Sequence, residues 1–408
     1  QVKKHLSLFR PSPDRIAPER WTNFVKASRG KKEFLEVLAA EFGVITPPGF
    51  SDWINDNQPT WDDITFLRLY RDHPVQSKKY VSADQPPYVL FDVIKSSFFP
   101  GAEPADDLWK SIESIMPFYN ENFGVDGARL DMGHALPREL ELRIIERAKS
   151  IDPSFAIIAE ELVMGNDKKA ADSGYDCILG NTWWMEPRVA EGKLKELVYK
   201  VLPDLRIKTL ASVETPDTPR AVARKNGRAF SRFATVLNFF LPNGITYVNS
   251  GQEIFEIQPM NLGLDNSEEG RYVLKPNDPF YGKLAFFDHY VLHWNADDDM
   301  IDLIASLSVL RRENQPLLES KYLKLMWEEE SLSIGLFYWN GTKGLLLAGN
   351  CDFSNMRDFY VDLGYHTWRG EHRIHWKLKN SGASSHWNVG GNFHLSLGPG
   401  EIVAATVE

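Results

Sequence analysis

Hydrophobic residues recur at helical or strand spacing through the middle of the chain, between about residues 100 and 320. Apolar positions three and four residues apart predict amphipathic helices over 105–122, 137–152, 194–201, 230–241 and 300–310. Short segments between them predict strands at 123–131, 155–159, 177–178, 209–213 and 244–248. The continuous apolar run 155–159 is typical of a parallel strand buried on both faces. Because strands that alternate with helices pair in parallel through right-handed crossovers, this region is predicted to be α/β.

The hydrophobic pattern changes at both ends of the chain. Beyond about residue 320, short strand-like segments separated by turn residues predict an all-β domain, including 333–339, 344–348 and 401–407. Residues 1–100 are rich in turn formers, apart from a predicted helix over 31–42. The predicted domains are therefore a loop-rich segment (1–100), an α/β part (101–318) and a C-terminal β-sandwich (319–408).

A dense stretch of prolines and polar residues, 46–63, includes Trp53 and Trp61. Large aromatic side chains in a polar loop either anchor the loop on a core or form a stacking platform for a sugar ring, and the usual burial of tryptophan favours anchoring. The carboxylate and amide oxygens of the stretch 46–63 are also ligands that calcium accepts. The segment lacks a calcium-loop signature, so we interpret it as a solvated loop and expect no cofactor or metal.

Composition excludes several classes of protein. The 408 residues are 43% hydrophobic and 25% charged, with a formal charge of -10, which argues against nucleic-acid binding. No apolar run approaches membrane-spanning length. The two cysteines make neither a disulfide framework nor a metal cluster, so a cytoplasmic location is the simplest expectation, with a secreted protein without disulfides as the alternative. The first residue is Gln1 and no signal segment follows, so we expect that the chain starts within a longer protein.

The segment 124–134 contains the first candidate for chemistry. Arg129 and Asp131 are two residues apart, so in a strand they project from one face. A carboxylate beside a permanent cation stays ionised, which suits a nucleophile. The alternative is a structural ion pair at the end of a strand.

Three acidic residues, Asp131, Glu160 and Asp217, each follow a separate predicted strand. In α/β folds the carboxyl ends of the strands form the edge that carries the active site. Acids that converge there repel one another, so at least one holds a proton, which is the division of roles that glycoside hydrolysis requires. Glu160 ends an apolar run and is the natural proton carrier, although the adjacent Glu161 competes for this role.

Four motifs in order carry a resemblance to a known family: Gly127-Ala128-Arg129-Leu130-Asp131, Ile157-Ile158-Ala159-Glu160, Glu214-Thr215-Pro216-Asp217 and the segment 244–253. Together they resemble the α-amylase family, glycoside hydrolase family thirteen. The resemblance implies a (β/α)8 TIM barrel, of which this chain has the last five βα units, with an inserted loop domain and a C-terminal β domain. It implies a retaining mechanism in which Asp131 is the nucleophile, Glu160 the acid/base and Asp217 a binder of sugar hydroxyls. Glu160 is preferred to Glu161 because the family's glutamate follows a small residue, here Ala159.

Two departures from the family pattern indicate a branch. Pro216 stands where most members have histidine, and His134 lies three residues after Asp131 rather than four. Both resemble the maltosyltransferase branch, although singly they fit a rigid turn and an ordinary histidine. The remaining candidate substrate contacts are Arg129, Glu161 and two aromatic residues, Trp183 and Trp184, for which core packing is an equal interpretation. Arg220 and Arg224 are weak candidates for a phosphate contact.

The resemblance implies transfer of maltosyl units between α-1,4-glucans through a covalent glycosyl-enzyme. Alternatives are an endo-hydrolase of α-1,4-glucans, maltosyl transfer to or from phosphate, and, least favoured because all three acids are present, a non-catalytic relative. The expected partners are a maltooligosaccharide and an N-terminal part of the same protein, about 200 residues, which completes the barrel. No nucleic-acid or membrane partner is expected, and a homodimer remains open.

Overall fold

The computed structural model describes residues 17–28, 37, 41, 69, 70, 100–294, 298–326, 332–368, 371–378, 386–390 and 392–408. The predicted loop with Trp53 and Trp61 lies outside these residues, as does most of the predicted helix over 31–42. The chain forms two compact units. The first comprises Gln1–Glu160 with Asp172–Tyr175, and the second comprises Glu161–Ala171 with Asp176–Glu408.

Helices and strands alternate through the α/β part of the described chain. The helices are α1 (Pro18–Ser28), α2 (Asp106–Glu113), α3 (Ile115–Phe123), α4 (Arg138–Ile151), α5 (Asp167–Asp172), α6 (Met185–Ala190), α7 (Leu194–Glu196), α8 (Leu202–Asp204), α9 (Gly227–Asn238), α10 (Ile301–Asn314) and α11 (Gly364–Thr367). The strands of this part are β1 (Gly127–Leu130), β2 (Ala156–Ala159), β3 (Cys177–Ile178), β4 (Lys208–Ala211) and β5 (Gly244–Thr246).

The first unit contains a parallel pair of strands. β1 and β2 pair from Gly127 opposite Ala156 to Leu130 opposite Ala159. Helix α4 follows β1 and buries the residues that the periodicity predicts to be apolar, namely Leu140, Ile144, Ile145 and Ala148. The paired strands end together, so the residues after Leu130 and Ala159 lie at one edge.

The predicted helix over 105–122 is two helices, α2 and α3. Pro117 has no N–H to donate to the carbonyl of Glu113, so a continuous helix would lack a hydrogen bond there. Helix α3 ends at Gly124, which has φ of +66° and caps its C-terminus. The strand therefore starts at Gly127, not at residue 123 as predicted, and it ends at Leu130, one residue before Asp131.

The second unit contains three parallel strands. β3 pairs with β4 and β4 pairs with β5. The predicted helix over 194–201 is a composite, in which a π-helical turn, Leu197–Val201, separates α7 from α8. Helix α9 is buried along most of its length, because strands and the C-terminal domain cover it. Tyr338, for example, donates a hydrogen bond to the carbonyl of Phe240, just after this helix.

The C-terminal region is antiparallel, as predicted. Its strands are β6 (Leu323–Met326), β7 (Ser333–Trp339), β8 (Gly344–Asn350), β9 (Arg357–Asp362), β10 (Glu371–Leu378), β11 (His386–Gly390), β12 (Asn392–Leu397) and β13 (Ile402–Val407). They form a six-stranded sheet in the order β11-β10-β13-β8-β7-β6 and a two-stranded sheet of β12 and β9. One buried cluster contains apolar side chains from both sheets, including Phe337, Ile374, Phe359 and Leu395.

Parallel α/β strands followed by an all-β domain confirm the predicted fold class. The domain boundaries at residues 100 and 318 stay predictions. Both cysteines, Cys177 and Cys351, are buried free thiols. Within the described residues, every helix is too short or too polar to cross a bilayer.

Candidate active site

Arg129 bridges two of the predicted catalytic acids. Its Nη1 lies 2.6 Å from Oδ1 of Asp131, and its Nη2 lies 2.8 Å from Oε1 of Glu160. Arg129 is the third residue of β1, and the two acids follow β1 and β2 directly. Because these strands pair in register, the first residues after them are brought to the same guanidinium. The first unit thus holds an ion-paired carboxylate cluster at the carboxyl ends of its strands.

The two carboxyl groups have different surroundings. The side chain of Asp131 is 68% exposed, whereas that of Glu160 is 15% exposed. Burial raises the pKa of Glu160 to about 7, and the charge of Asp131 and a hydrogen bond between the two carboxyl groups add to this effect. The N–H of Met132 and the charge of Arg129 oppose it. Glu160 can therefore hold or release a proton near neutral pH, as a general acid/base requires.

Met132 links the two acids through its backbone. Its N–H donates a hydrogen bond to Oε2 of Glu160 at 2.6 Å. Its φ of +49° lies in the left-handed region, which is uncommon for a residue with a Cβ and often marks a functional site. This conformation turns the chain directly after Asp131 into a short 3₁₀ turn, Gly133–Ala135. The predicted contact residue His134 lies exposed in that turn.

The second unit carries the third predicted acid, Asp217, in a turn after β4. Its N–H donates to Oγ1 of Thr215 at 3.2 Å. Its Oδ1 accepts a hydrogen bond from Nδ2 of Asn261 at 2.7 Å. Asp217 and the preceding Pro216 are half-buried. A neutral amide, rather than an arginine, thus holds this carboxylate.

Arg220 lies in a buried ion pair. Its Nη1 is 2.7 Å from Oε1 of Glu214, and both side chains are 1% exposed. It also donates to the carbonyls of Gln258 and Ser250. This residue is therefore a structural cation, and the interpretation of Arg220 as a phosphate contact is wrong. Burial lowers the pKa of Arg224, which also faces the carboxylates of Asp265, Glu186 and Glu214.

The two adjacent tryptophans, Trp183 and Trp184, differ in their exposure to solvent. Trp183 is 4% exposed, and its Nε1–H points at Oδ2 of Asp265 at 3.4 Å. Trp184 is 43% exposed, with the Arg188 guanidinium 5.8 Å from the centre of its ring. Core packing therefore accounts for Trp183, whereas Trp184 keeps a ring available for stacking. Their roles in substrate binding stay predictions.

Glu161 and Glu160 have different hydrogen-bond partners. Oε1 of Glu161 accepts the N–H of Val163 at 2.8 Å, inside its own turn. Glu160 instead contacts Arg129 and Met132. Of the two glutamates, Glu160 is thus the one bound to the same arginine as Asp131. In the parts of the chain that the structure describes, no group of three or more histidine, cysteine or acidic side chains is arranged to hold a metal ion.

Two residues that contact the predicted acids had no signal in the sequence. The N–H of Met132 contacts Glu160 only because of its left-handed backbone. Asn261 lies 44 residues after Asp217, in a segment without regular period. Amide side chains are common in loops, so composition does not single it out.

Comparison with known proteins identifies the fold. No protein-family model matches the chain, and no curated protein matches it. Among solved structures, an α-amylase from Geobacillus thermoleovorans, complexed with acarbose, is 16% identical with a TM-score of 0.56, and the match covers 74% of this chain and 64% of that one. An Anoxybacillus α-amylase is 15% identical with a TM-score of 0.57, and the match covers 75% of this chain and 65% of that one. A trehalose-6-phosphate hydrolase from Bacillus licheniformis is 13% identical with a TM-score of 0.53, covering 74% and 68%.

These similarities show that the chain has the fold of the α-amylases, with a partial (β/α) barrel and an antiparallel C-terminal domain. The chain spans about two-thirds of the length of these structures, and less than that of the two amylases. At such identities the similarity concerns the fold. Activity therefore has to be inferred from the site.

Proposed function

We propose that the protein is a retaining enzyme that cleaves α-1,4-glucosidic bonds of glucans and transfers the released maltosyl unit to another glucan. One observation carries this proposal. A single guanidinium, that of Arg129, contacts both the exposed carboxyl group of Asp131 and the largely buried carboxyl group of Glu160, whose pKa is raised to about 7. An ion-paired carboxyl group beside a carboxyl group that holds a proton near neutral pH offers the nucleophile and the acid/base that retaining glycosidases require.

In the first step, the Asp131 carboxylate attacks the anomeric carbon of the bound glucan. The bond to the leaving glycosidic oxygen breaks as Glu160 gives that oxygen its proton. The product is a glycosyl ester on Asp131, and the shortened glucan leaves with a new hydroxyl group. Glu160, now ionised, is stabilised by the N–H of Met132 and by Arg129.

In the second step, an acceptor hydroxyl attacks the anomeric carbon of the ester. Glu160 takes the proton of that hydroxyl, and the bond from the sugar to Asp131 breaks. The carboxylate of Asp131 is restored, and two inversions give overall retention. Asp217 has the role of binding sugar hydroxyls in the distorted transition state, which its half-buried carboxylate suits.

The nature of the acceptor separates the proposal from its alternatives. A sugar hydroxyl gives transfer, water gives hydrolysis, and inorganic phosphate gives a maltosyl phosphate. The pair Pro216 and His134 supports transfer, because this combination resembles the maltosyltransferase branch. Hydrolysis of α-1,4-glucans is the second candidate, and the exposure of Asp131 to solvent supports it.

The test is the product pattern from maltotetraose. Transfer of maltosyl units yields maltose and maltohexaose early, before shorter sugars accumulate. Hydrolysis yields only shorter sugars, and an added phosphate acceptor yields a charged product. Asp131→Ala abolishes all three activities, whereas the matched variant Asp126→Ala, which removes a nearby exposed carboxylate, retains them. Unchanged maltotetraose with the wild-type protein, or full activity of Asp131→Ala, contradicts the proposal.

A further inference from the structure

Asn261 is buried against Asp217. Its side chain is 2% exposed, and its Nδ2 donates to Oδ1 of Asp217 at 2.7 Å. A hydrogen bond to a charged acceptor is among the stronger ones that a neutral side chain makes. Asp217 therefore has a dedicated donor that no sequence motif indicates.

The orientation of this amide is fixed from its other end. Oδ1 of Asn261 accepts the N–H of Gly263 at 2.6 Å. Turning the amide around would place an oxygen against the carboxylate and an NH₂ group against an N–H. Both contacts therefore require the NH₂ end to face Asp217.

Gly263 allows the loop to approach this closely. A Cβ at this position would lie 2.7 Å from the carbonyl oxygen of Asp217 and 2.8 Å from Oδ1 of Asn261. Contacts of that length do not occur, so a larger residue would push the loop away from Asp217. The loop 261–266 also reaches Trp183, through Asp265.

The bond to Asn261 leaves one carboxylate oxygen of Asp217 for a ligand. Among the described residues, Oδ2 of Asp217 has no hydrogen-bond partner. A neutral donor on Oδ1 holds the direction of the carboxylate without cancelling its charge, in contrast to the arginine on Asp131. A sugar hydroxyl is a donor that such a directed, charged oxygen binds well.

We propose that Asn261 is the positioning residue for Asp217, and that it aims Oδ2 at a hydroxyl group of the sugar in the transition state. This inference rests on the proposed function of the site. Asn261 acts through Asp217 and does not itself touch the reacting atoms. The loop 261–266 is then a determinant of catalytic rate, as well as of stability.

The experiment compares Asn261→Ala and Asn261→Asp with the wild type over about pH 5 to 8, using maltotetraose. Loss of the donor in Asn261→Ala lowers kcat/KM by about tenfold to a hundredfold at every pH. In Asn261→Asp, the new carboxyl group at 2.7 Å shares a proton with Asp217 at low pH and donates as the amide does. As pH rises this proton is lost, the two charges repel, and the ratio of variant to wild-type kcat/KM falls at least about tenfold.

The ratio to the wild type cancels the ionisation of Glu160, and thermal melting monitors the fold. Asn314→Ala is the matched control, because it removes a buried amide that donates to a carbonyl within α10, and its kcat/KM stays within about twofold of the wild type. If Asn261→Asp does not fold, maltotetraose binding to Asp131→Ala carries the test. In the Asp131→Ala background, the losses of binding free energy from Asn261→Ala and Asp217→Asn are strongly non-additive, because both substitutions disrupt the same hydrogen-bonded pair.

If Asn261 has only a structural role, the ratio of variant to wild-type kcat/KM does not depend on pH for either variant. In the binding measurement, a structural role predicts additive losses from Asn261→Ala and Asp217→Asn. Either result overturns the inference. An Asn261→Ala variant within about twofold of the wild type does so too. If Asp131→Ala is inactive in the same assay, only the role of Asn261 fails. If Asp131→Ala is active, the proposed function itself fails.

Discussion

The backbone N–H of Met132 donates a 2.6 Å hydrogen bond to the Glu160 carboxylate. Met132 directly follows Asp131, so the chain segment that carries one acid also supports the other. This contact stabilises the ionised form of Glu160, against burial and the charge of Asp131, which favour its protonated form. The balance leaves Glu160 able to exchange a proton near neutral pH.

The pH dependence of kcat/KM has a basic limb near pH 7. The pKa of Glu160 is raised to about 7, chiefly by burial. Because the first step needs the protonated acid, activity falls about tenfold per pH unit above that value. Glu161→Gln is the control and leaves this limb in place, since Glu161 bonds within its own turn. Loss of the basic limb in Glu161→Gln would show that Glu161, and not Glu160, carries the proton.

Glu160→Gln discriminates between substrates by their leaving groups. It lowers kcat on maltotetraose by about 10²- to 10⁴-fold, because the glycosidic oxygen receives no proton. Formation of the glycosyl-enzyme from α-maltosyl fluoride is much less affected, since fluoride leaves without protonation. Rapid-quench measurement of fluoride release checks this. Equal losses on both substrates would speak against an acid role for Glu160.

The fold was more accessible from the sequence than the site. The period of Leu140, Ile144 and Ile145 identifies α4, because burial of a helical face depends on local spacing. The helix break before Pro117 follows from its missing N–H, which the apolar spacing alone does not report. By contrast, the contacts of Met132 and Asn261 depend on irregular backbone and distant segments, which periodicity does not report. The pKa of Glu160 was predictable in direction, since it ends a buried run.

The two adjacent tryptophans have separable effects. Trp184→Ala raises KM for maltooligosaccharides by about threefold to tenfold, through lost stacking on its exposed ring. Trp183→Ala removes a buried ring and lowers the free energy of unfolding by about 3–5 kcal/mol. Kinetics and urea unfolding of both variants test this split. A KM change for Trp183→Ala without lost stability would reverse the assignment.

Arg220→Met tests the structural role of the buried ion pair. Removal of the cation leaves Glu214 buried with an uncompensated charge, which lowers the free energy of unfolding by about 3–5 kcal/mol. The matched variant Arg228→Met breaks an exposed pair with Asp298 and costs less than about 1 kcal/mol. Urea unfolding curves measure both values. Similar small losses for the two variants would show that the buried pair is not structural.

Covalent trapping on Asp131 tests the central claim most directly. Glu160→Gln, incubated with α-maltosyl fluoride, forms the glycosyl ester but lacks the base for the second step, so the ester accumulates. Proteolytic cleavage on the C-terminal side of arginine residues releases the peptide Leu130–Arg138, in which Asp131 is the sole acidic residue. We predict that mass spectrometry finds one maltosyl group on this peptide. A maltosyl group on another peptide, or none while the wild type turns over the fluoride, would contradict Asp131 as the nucleophile.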